Sequence, residues 1–101
     1  MLATVGTSAQ TLVAATSGCP SSVPNFNAGL YLQAHPDNVG NIHFSTRSDV
    51  TTNGALTCGF ILAPGQWASP PLDMAKDASQ IYVIATQSGQ FLIWDNTRMG
   101  S

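Results

Sequence analysis

The sequence has very few charged side chains. Only 8% of its 101 residues are charged, against roughly 25% in ordinary soluble domains, and the acidic residues are all aspartates. The net charge is nevertheless only −2, and 44% of the residues are hydrophobic. A chain with this balance is expected to fold rather than to stay disordered. Its surface must then consist of uncharged polar groups and apolar atoms, which associate easily because little charge repulsion opposes contact.

Basic residues and long apolar runs are both scarce, and each shortage argues against a class of partner. The basic residues are scattered at Arg47, Lys76 and Arg98, so they cannot form the stripe that neutralises nucleic-acid phosphates. No apolar run reaches the roughly 18–20 residues of a membrane-spanning helix. We therefore expect neither a nucleic-acid partner nor a membrane partner.

Motifs for catalysis are also missing. The sequence has no GxSxG elbow, no phosphate-binding glycine loop and no dinucleotide fingerprint. Glutamate, the usual general acid with a raised pKa, is absent, although aspartate could take that role. We predict that the chain is not an enzyme, has no catalytic residues and needs no cofactor.

Metal binding is a weaker alternative at one strand-turn-strand unit. His35, Asp37 and His43 lie close together in the sequence, and imidazole ligands would favour zinc or nickel. Asp37 with Asn38 and Asp49 would suit calcium instead, but their spacing matches no recurrent calcium loop. In the simpler interpretation, His35 precedes a turn and His43 lies on the polar face of a strand. We predict no metal site.

The two cysteines, Cys19 and Cys58, are far apart in sequence and form no CxxC motif. Two reduced, partly buried thiols are the simplest interpretation, and a disulfide between them remains an alternative.

The stretch from Gly54 to Asp95 carries the strongest structural pattern. Its apolar runs, residues 56–62 and 81–86, lack helical spacing and have the branching and turn punctuation of β-strands. Pro64-Gly65 fits a type II turn, and Gly59 indicates a bulge or a close backbone approach. Residues 80–86 and 90–95 are predicted to form a hairpin. Two further strands are predicted at 28–35 and 40–46, with Val50 turned inward from the loop that follows.

Together these segments predict an all-β fold, a small β-sandwich or jelly-roll-like domain of seven or eight short strands. We expect one domain over residues 1–101. Residues 1–16 are predicted to be strand or an N-terminal arm, and residues 96–101 a frayed tail.

The predicted hairpin has two apolar faces, although a sandwich core buries only one. The surplus face indicates a protein interface, because exposed aromatic residues often anchor such contacts. The candidate interface residues are Trp67, Tyr82, Ile84, Leu92 and Trp94. A carbohydrate-binding module that uses Trp67 and Tyr82 is an alternative.

The order of turns and strands resembles a known family. The pattern N-x-G-x-I (Asn38, Gly40, Ile42) is followed by Ser48, Val50 and Asn53-Gly54. Then come L-x-P-G (Leu62, Pro64, Gly65), IYVIA (residues 81–85) and Gly89-Gln90. Over residues 28–95 this order is similar to that of small β-sandwich virion proteins of tailed bacteriophages. The chain departs from many of them at Ser45 and Thr46, where they have a glycine after the strand.

The resemblance implies a capsid decoration or cement protein, made in the host cytoplasm and located on the capsid surface of the virion. The implied partners are the major capsid protein or other virion proteins, and the implied assembly is a homo-oligomer, with a trimer favoured. A head–tail connector, tail or fibre-base component is the alternative within the same family.

Overall fold

The protein is a β-sandwich of two antiparallel four-stranded sheets in the computed structural model, which describes residues 1–23, 30–54, 56–69 and 76–96. The strands are β1 (Leu2–Val5), β2 (Gln10–Thr11), β3 (Leu30–Ala34), β4 (Ile42–Ser45), β5 (Phe60–Leu62), β6 (Trp67–Ala68), β7 (Tyr82–Ala85) and β8 (Gln90–Asn96). Sheet A has the order β1-β8-β3-β6, and sheet B has the order β2-β7-β4-β5. The prediction of an all-β sandwich of seven or eight short strands is confirmed.

Most connections pass from one sheet to the other. Along the chain, only β4 and β5 are consecutive strands of the same sheet. The N-terminal segment divides in the same way: β1 pairs with β8 in sheet A, whereas β2 pairs with β7 in sheet B. The tail residues 97–101 lie outside the described residues, and Asn96 is the last residue of β8.

The predicted hairpin of residues 80–95 is wrong. β7 lies in sheet B between β2 and β4, and β8 lies in sheet A between β1 and β3, so the turn at residues 86–89 carries the chain across the sandwich. Two apolar strands joined by a short Ser-Gly turn can form a hairpin within one sheet, or they can lie in opposite sheets. The long-range pairings with β1, β3 and β4 decide between them.

A single core cluster fills the space between the sheets. Each strand of the two sheets except β2 and β6 contributes inward residues to it by simple alternation, as in Ala3 and Val5 of β1 or Leu30 and Leu32 of β3. The largest buried side chain is Trp94. Its Nε1–H donates to Thr16 Oγ1 at 2.8 Å, and that hydroxyl donates to the carbonyl of Leu12 at 2.9 Å. The indole therefore has its polar atom satisfied inside the core.

A short 3₁₀ helix, Ala78–Gln80, leads into β7 and is capped by Asp77. The Asp77 carboxylate accepts hydrogen bonds from Ser79 N at 2.9 Å, from Val23 N at 3.0 Å and from the Ser22 hydroxyl. Gln80 Oε1 accepts from Asp77 N at 3.1 Å, which completes a capping box. This network attaches the N-terminal segment to the start of β7. None of the helical structure in the described residues is long and apolar enough to span a membrane.

The Asp77 network predicts an acid-sensitive contribution to stability. Burial acts to raise the pKa of this carboxyl, but the hydrogen bonds from Ser22, Ser79 and Val23 outweigh it and leave the pKa below its usual range. Because the folded state holds the carboxylate ionised, its contribution is complete above the usual carboxyl pKa of about 3.9 and is lost as pH falls through the lowered value. We expect Asp77→Ala to lower the free energy of unfolding by about 1–2 kcal/mol at pH 7, and by less at pH 3.

Urea unfolding of both proteins at the two pH values measures this difference. Asp37→Ala controls for the loss of one negative charge, since the Asp37 side chain is 92% exposed. A difference between wild type and Asp77→Ala that stays the same at pH 3 and pH 7 would contradict the role of the ionised cap.

Candidate protein-binding surface

The outer face of sheet A carries a continuous apolar surface, which we call the apolar face. Its exposed hydrophobic residues come from all four strands of the sheet: Leu2 on β1, Tyr31 on β3, Trp67 on β6, and Phe91 and Ile93 on β8. Trp67 is 66% exposed, and the other four residues are between 38% and 51% exposed. Four of them alternate along their strands with buried core residues, and Trp67 precedes Ala68, which is partly buried against the core, so strand geometry holds all five on the same side.

The strand register arranges the apolar face in rows. The central row runs across all four strands as Leu2, Ile93, Gln33 and Trp67, which are successive cross-strand partners. Tyr31 lies diagonal to Trp67, and their ring centroids are 6.2 Å apart at an interplanar angle of 40°. Adjacent strands support one another through such pairs, so the face is a rigid platform.

A second row lies on one side of the central row, and a third row lies on the other. The second contains Thr4, its partner Phe91, and His35, whose ring meets Phe91 edge-on at a centroid distance of 6.3 Å. The third pairs Tyr31 with Asp95. Apolar side chains thus occur in all three rows; Gln33 interrupts the central row, and the other polar residues, Thr4, His35 and Asp95, lie in the two outer rows.

The exposed area of this face lies within the range of the largest apolar patch on a typical monomer. With side-chain areas of roughly 150–250 Å², the five exposed fractions leave roughly 500 Å² of apolar surface facing outward. The largest apolar patch on a typical monomer is about 300–600 Å², and such patches are often functional. The face therefore ranks with surfaces that serve in recognition.

The structure separates the five predicted interface residues. Trp67 lies on the apolar face. Tyr82 is half-buried and Ile84 is 8% exposed, both on the outer side of sheet B. Leu92 and Trp94 are 0% and 1% exposed and lie in the core.

The choice of Leu92 and Trp94 is therefore corrected: the outward residues of β8 are Phe91 and Ile93. The alternation along β8 was recognised, but the wrong side was taken as outward. Asp95 was the available signal, since it alternates with Ile93 and Phe91 and a carboxylate rarely faces a core.

The centre of the outer face of sheet B is covered by the protein itself, whereas Ile61 on the edge strand β5 is 50% exposed. His43 and Ile84 are paired there across β4 and β7, and they are only 3% and 8% exposed. His43 Nδ1 lies 2.7 Å from the carbonyl oxygen of Cys58. Because a carbonyl only accepts, Nδ1 carries the hydrogen and donates it. This bond places the β4–β5 loop against sheet B, and Val50 of the same loop is 2% exposed, as predicted.

A smaller apolar groove lies where the edge strands β5 and β6 meet. Phe60 and Ile61 are 59% and 50% exposed, and Phe60 stacks on Phe44 with a centroid distance of 5.4 Å. Trp67 forms part of the groove wall. Edge strands with apolar side chains tend to pair with further strands. The groove therefore adds an association-prone surface at the side of the sandwich, next to the apolar face.

The metal candidates do not converge. His35 Nδ1 is 4.0 Å from an Asp37 carboxylate oxygen, but His43 lies in sheet B and bonds to the Cys58 carbonyl. Asp49, one of the candidate calcium ligands, instead makes a bidentate ion pair with Arg47 at 2.8 and 2.9 Å. No three histidine, cysteine or acidic side chains gather at one place within the described ranges.

The remaining alternatives can be placed as well. Cys19 and Cys58 are free thiols, so the disulfide alternative is wrong. Burial raises the pKa of the Cys19 thiol, which keeps it protonated. Trp67 and Tyr82 lie in different sheets, so they cannot form one sugar-stacking site.

The motif residues that carry the phage resemblance have structural roles. The Asn38 side chain pairs with the backbone of Phe91, donating to its carbonyl at 2.8 Å and accepting from its N–H at 2.9 Å. The buried Gln90 side chain accepts from Val39 N at 2.9 Å and Gly40 N at 3.0 Å. These bonds fasten the β3–β4 turn to the start of β8. The motif residues therefore stabilise the fold, whereas other residues form the apolar face.

Comparison of the chain with protein-family models, with curated proteins and with solved structures gives no match.

Proposed function

We propose that this protein is a non-enzymatic structural component of a tailed-phage virion that attaches to the capsid surface and stabilises contacts between capsid subunits. The observation that carries the proposal is the apolar face of sheet A. It is a surface of five hydrophobic residues on a rigid sheet, left uncovered by the described part of the chain.

The energetics favour assembly through this surface. Removing roughly 500 Å² of apolar area from water is worth about 12 kcal/mol at 25 cal/mol per Å². Association itself costs about 4–15 kcal/mol in lost freedom, so a complementary partner is needed for a net gain. Trp67 is the natural anchor, because it is the most exposed large aromatic residue on the face and tryptophan dominates interface hot spots.

The low charge supports a structural role and argues against recognition of a partner by long-range electrostatic attraction. A chain in which only 8% of the residues are charged makes contacts that depend little on salt and do not rely on long-range electrostatic attraction. The resemblance of residues 28–95 to small virion β-sandwiches adds the phage context. The trimer and the major capsid protein as partner are taken from that resemblance.

The test uses capsids assembled from the major capsid protein that is encoded with this chain. Added wild-type protein is expected to bind them and to raise their melting temperature, because a ligand that binds only the assembled state stabilises it by mass action. Trp67→Asp is expected to weaken binding by at least about 30-fold, the effect of losing a hot-spot residue. Calorimetry of the capsids and sedimentation with labelled protein measure the two effects.

Leu56→Asp is the matched control. It adds the same charge at a residue that is 93% exposed in the β4–β5 loop, away from the apolar face, and is expected to bind as wild type does. Wild-type protein that neither binds the capsids nor shifts their melting temperature would overturn the proposal.

A further inference from the structure

We propose that the first partner of the apolar face is a second copy of this chain, which packs sheet A against sheet A in an isologous dimer, in place of the trimer that the resemblance implies. This inference rests on the proposed function: in solution the second copy occupies the surface that is proposed to bind the capsid, and the capsid must displace it.

The area suits a dimer of standard size. The apolar residues supply roughly 500 Å² and lie among Thr4, Gln33, His35 and Asp95, which are also partly or fully exposed. The exposed area of all these residues together comes close to the ~800 Å² that each partner of a standard interface buries. The face is thus large enough for one stable pairing, which includes Trp67 of the β5–β6 groove wall.

The shape of the face suits pairing of sheets. Sheets of β-sandwich proteins pack face to face about 10 Å apart with their strands nearly aligned. Sheet A offers four hydrogen-bonded strands with a central row from Leu2 through Ile93 and Gln33 to Trp67. A two-fold axis along this row sets each of its residues opposite its own counterpart and pairs the residues of the other rows reciprocally, which is the arrangement of an isologous interface.

The charge on the face is compatible with a copy of itself. Among the described strands of sheet A, Asp95 is the one carboxylate on this side, and it lies in the third row. The same two-fold axis places it over the partner's row of Thr4, Phe91 and His35 instead of over the partner's Asp95. The two Asp95 carboxylates therefore do not face each other, although Asp37 lies beside His35 at the edge of the facing row. A strongly charged partner would find little to pair with on this face.

The test measures the mass of the isolated protein by sedimentation velocity and light scattering at micromolar concentrations, without capsids. Wild type is expected at twice the 10.5 kDa of the chain. Ile93→Asp, at the centre of the face, is expected to raise the dissociation constant by at least about 30-fold. Leu56→Asp, with the same added charge on a loop, is expected to stay dimeric.

Near-ultraviolet circular dichroism and the unfolding midpoint establish that each variant is folded. Trp67→Ser is a second face variant, so the inference stays testable if Ile93→Asp fails to fold. A wild-type monomer at hundreds of micromolar, a trimer, or a dimer that survives both face variants would overturn the inference. Capsid binding by a monomer would leave the proposed function standing while the dimer falls, and a dimer without capsid binding would do the reverse.

Discussion

Trp94→Ala is expected to lower the free energy of unfolding by about 3–5 kcal/mol, the usual cost of truncating a buried tryptophan. Trp94 is 1% exposed and packs in the core that joins both sheets. The substitution leaves a cavity. It also removes the indole N–H that donates a hydrogen bond to Thr16 Oγ1 at 2.8 Å. Domains of this size are stable by only about 5–15 kcal/mol, so the loss is a large part of the total. Thermal unfolding is expected to shift down by at least about 12 °C.

Two further variants show whether the location of the tryptophan decides this effect. Trp94→Phe keeps most of the volume but loses the N–H, so it is expected to cost about 1–3 kcal/mol. Trp67→Ala removes the same side chain from the 66% exposed position on the apolar face, and is expected to change stability by less than about 1 kcal/mol. A stable Trp94→Ala protein would show that Trp94 is not a core residue and would restore its assignment to an interface.

Gly59→Ala is expected to cost about 3 kcal/mol, because two penalties act at one position. Gly59 has φ +63°, where a residue with a Cβ loses about 1–2 kcal/mol. In addition, an added Cβ would meet the carbonyl oxygen of Phe44 at 2.4 Å, and that atom belongs to the backbone of β4 and cannot rotate away. The pairing of β4 with β5 must therefore shift, and the neighbouring bond from His43 to the Cys58 carbonyl with it.

Gly65→Ala is the matched control for the backbone conformation alone. Gly65 has φ +84°, but nothing lies within 4 Å of an added Cβ, so the expected cost is only about 1–2 kcal/mol. Denaturant unfolding of both variants gives the comparison. Equal losses at the two positions would mean that the close approach to Phe44 contributes nothing.

The local rules of strand formation were sufficient to predict much of the fold. Ile81, directly before β7, and Val83 and Ala85 within it follow the alternation expected of a strand, and all three lie in the core. The prediction of a close backbone approach at Gly59 and the inward position of Val50 are also confirmed. Each of these features depends either on the alternation of side chains along a strand or on the conformation of a single glycine or loop residue. A stretch of a few residues is enough to predict either one.

The candidate site was only partly predictable, because exposure depends on contacts between distant segments. Trp67 was correctly placed at the surface by its proline-flanked setting. Tyr31 and Leu2 were not recognised, since their exposure requires knowing that β1 and β3 lie beside β8 in one sheet. Ile84 has the same outward register on β7 that Ile93 has on β8, but the β4–β5 loop covers its sheet.

The sequence by itself determined that the chain would form short strands with two apolar sides and a surface nearly free of charge. Those properties follow from residue type and spacing along the chain. Only the tertiary structure decided that β7 and β8 belong to different sheets, which side of each faces the core, and which outer face remains open. The physical reason is that a strand acquires its neighbours through pairings across many residues of sequence, and the exposed apolar face of sheet A is the result of four such strands meeting.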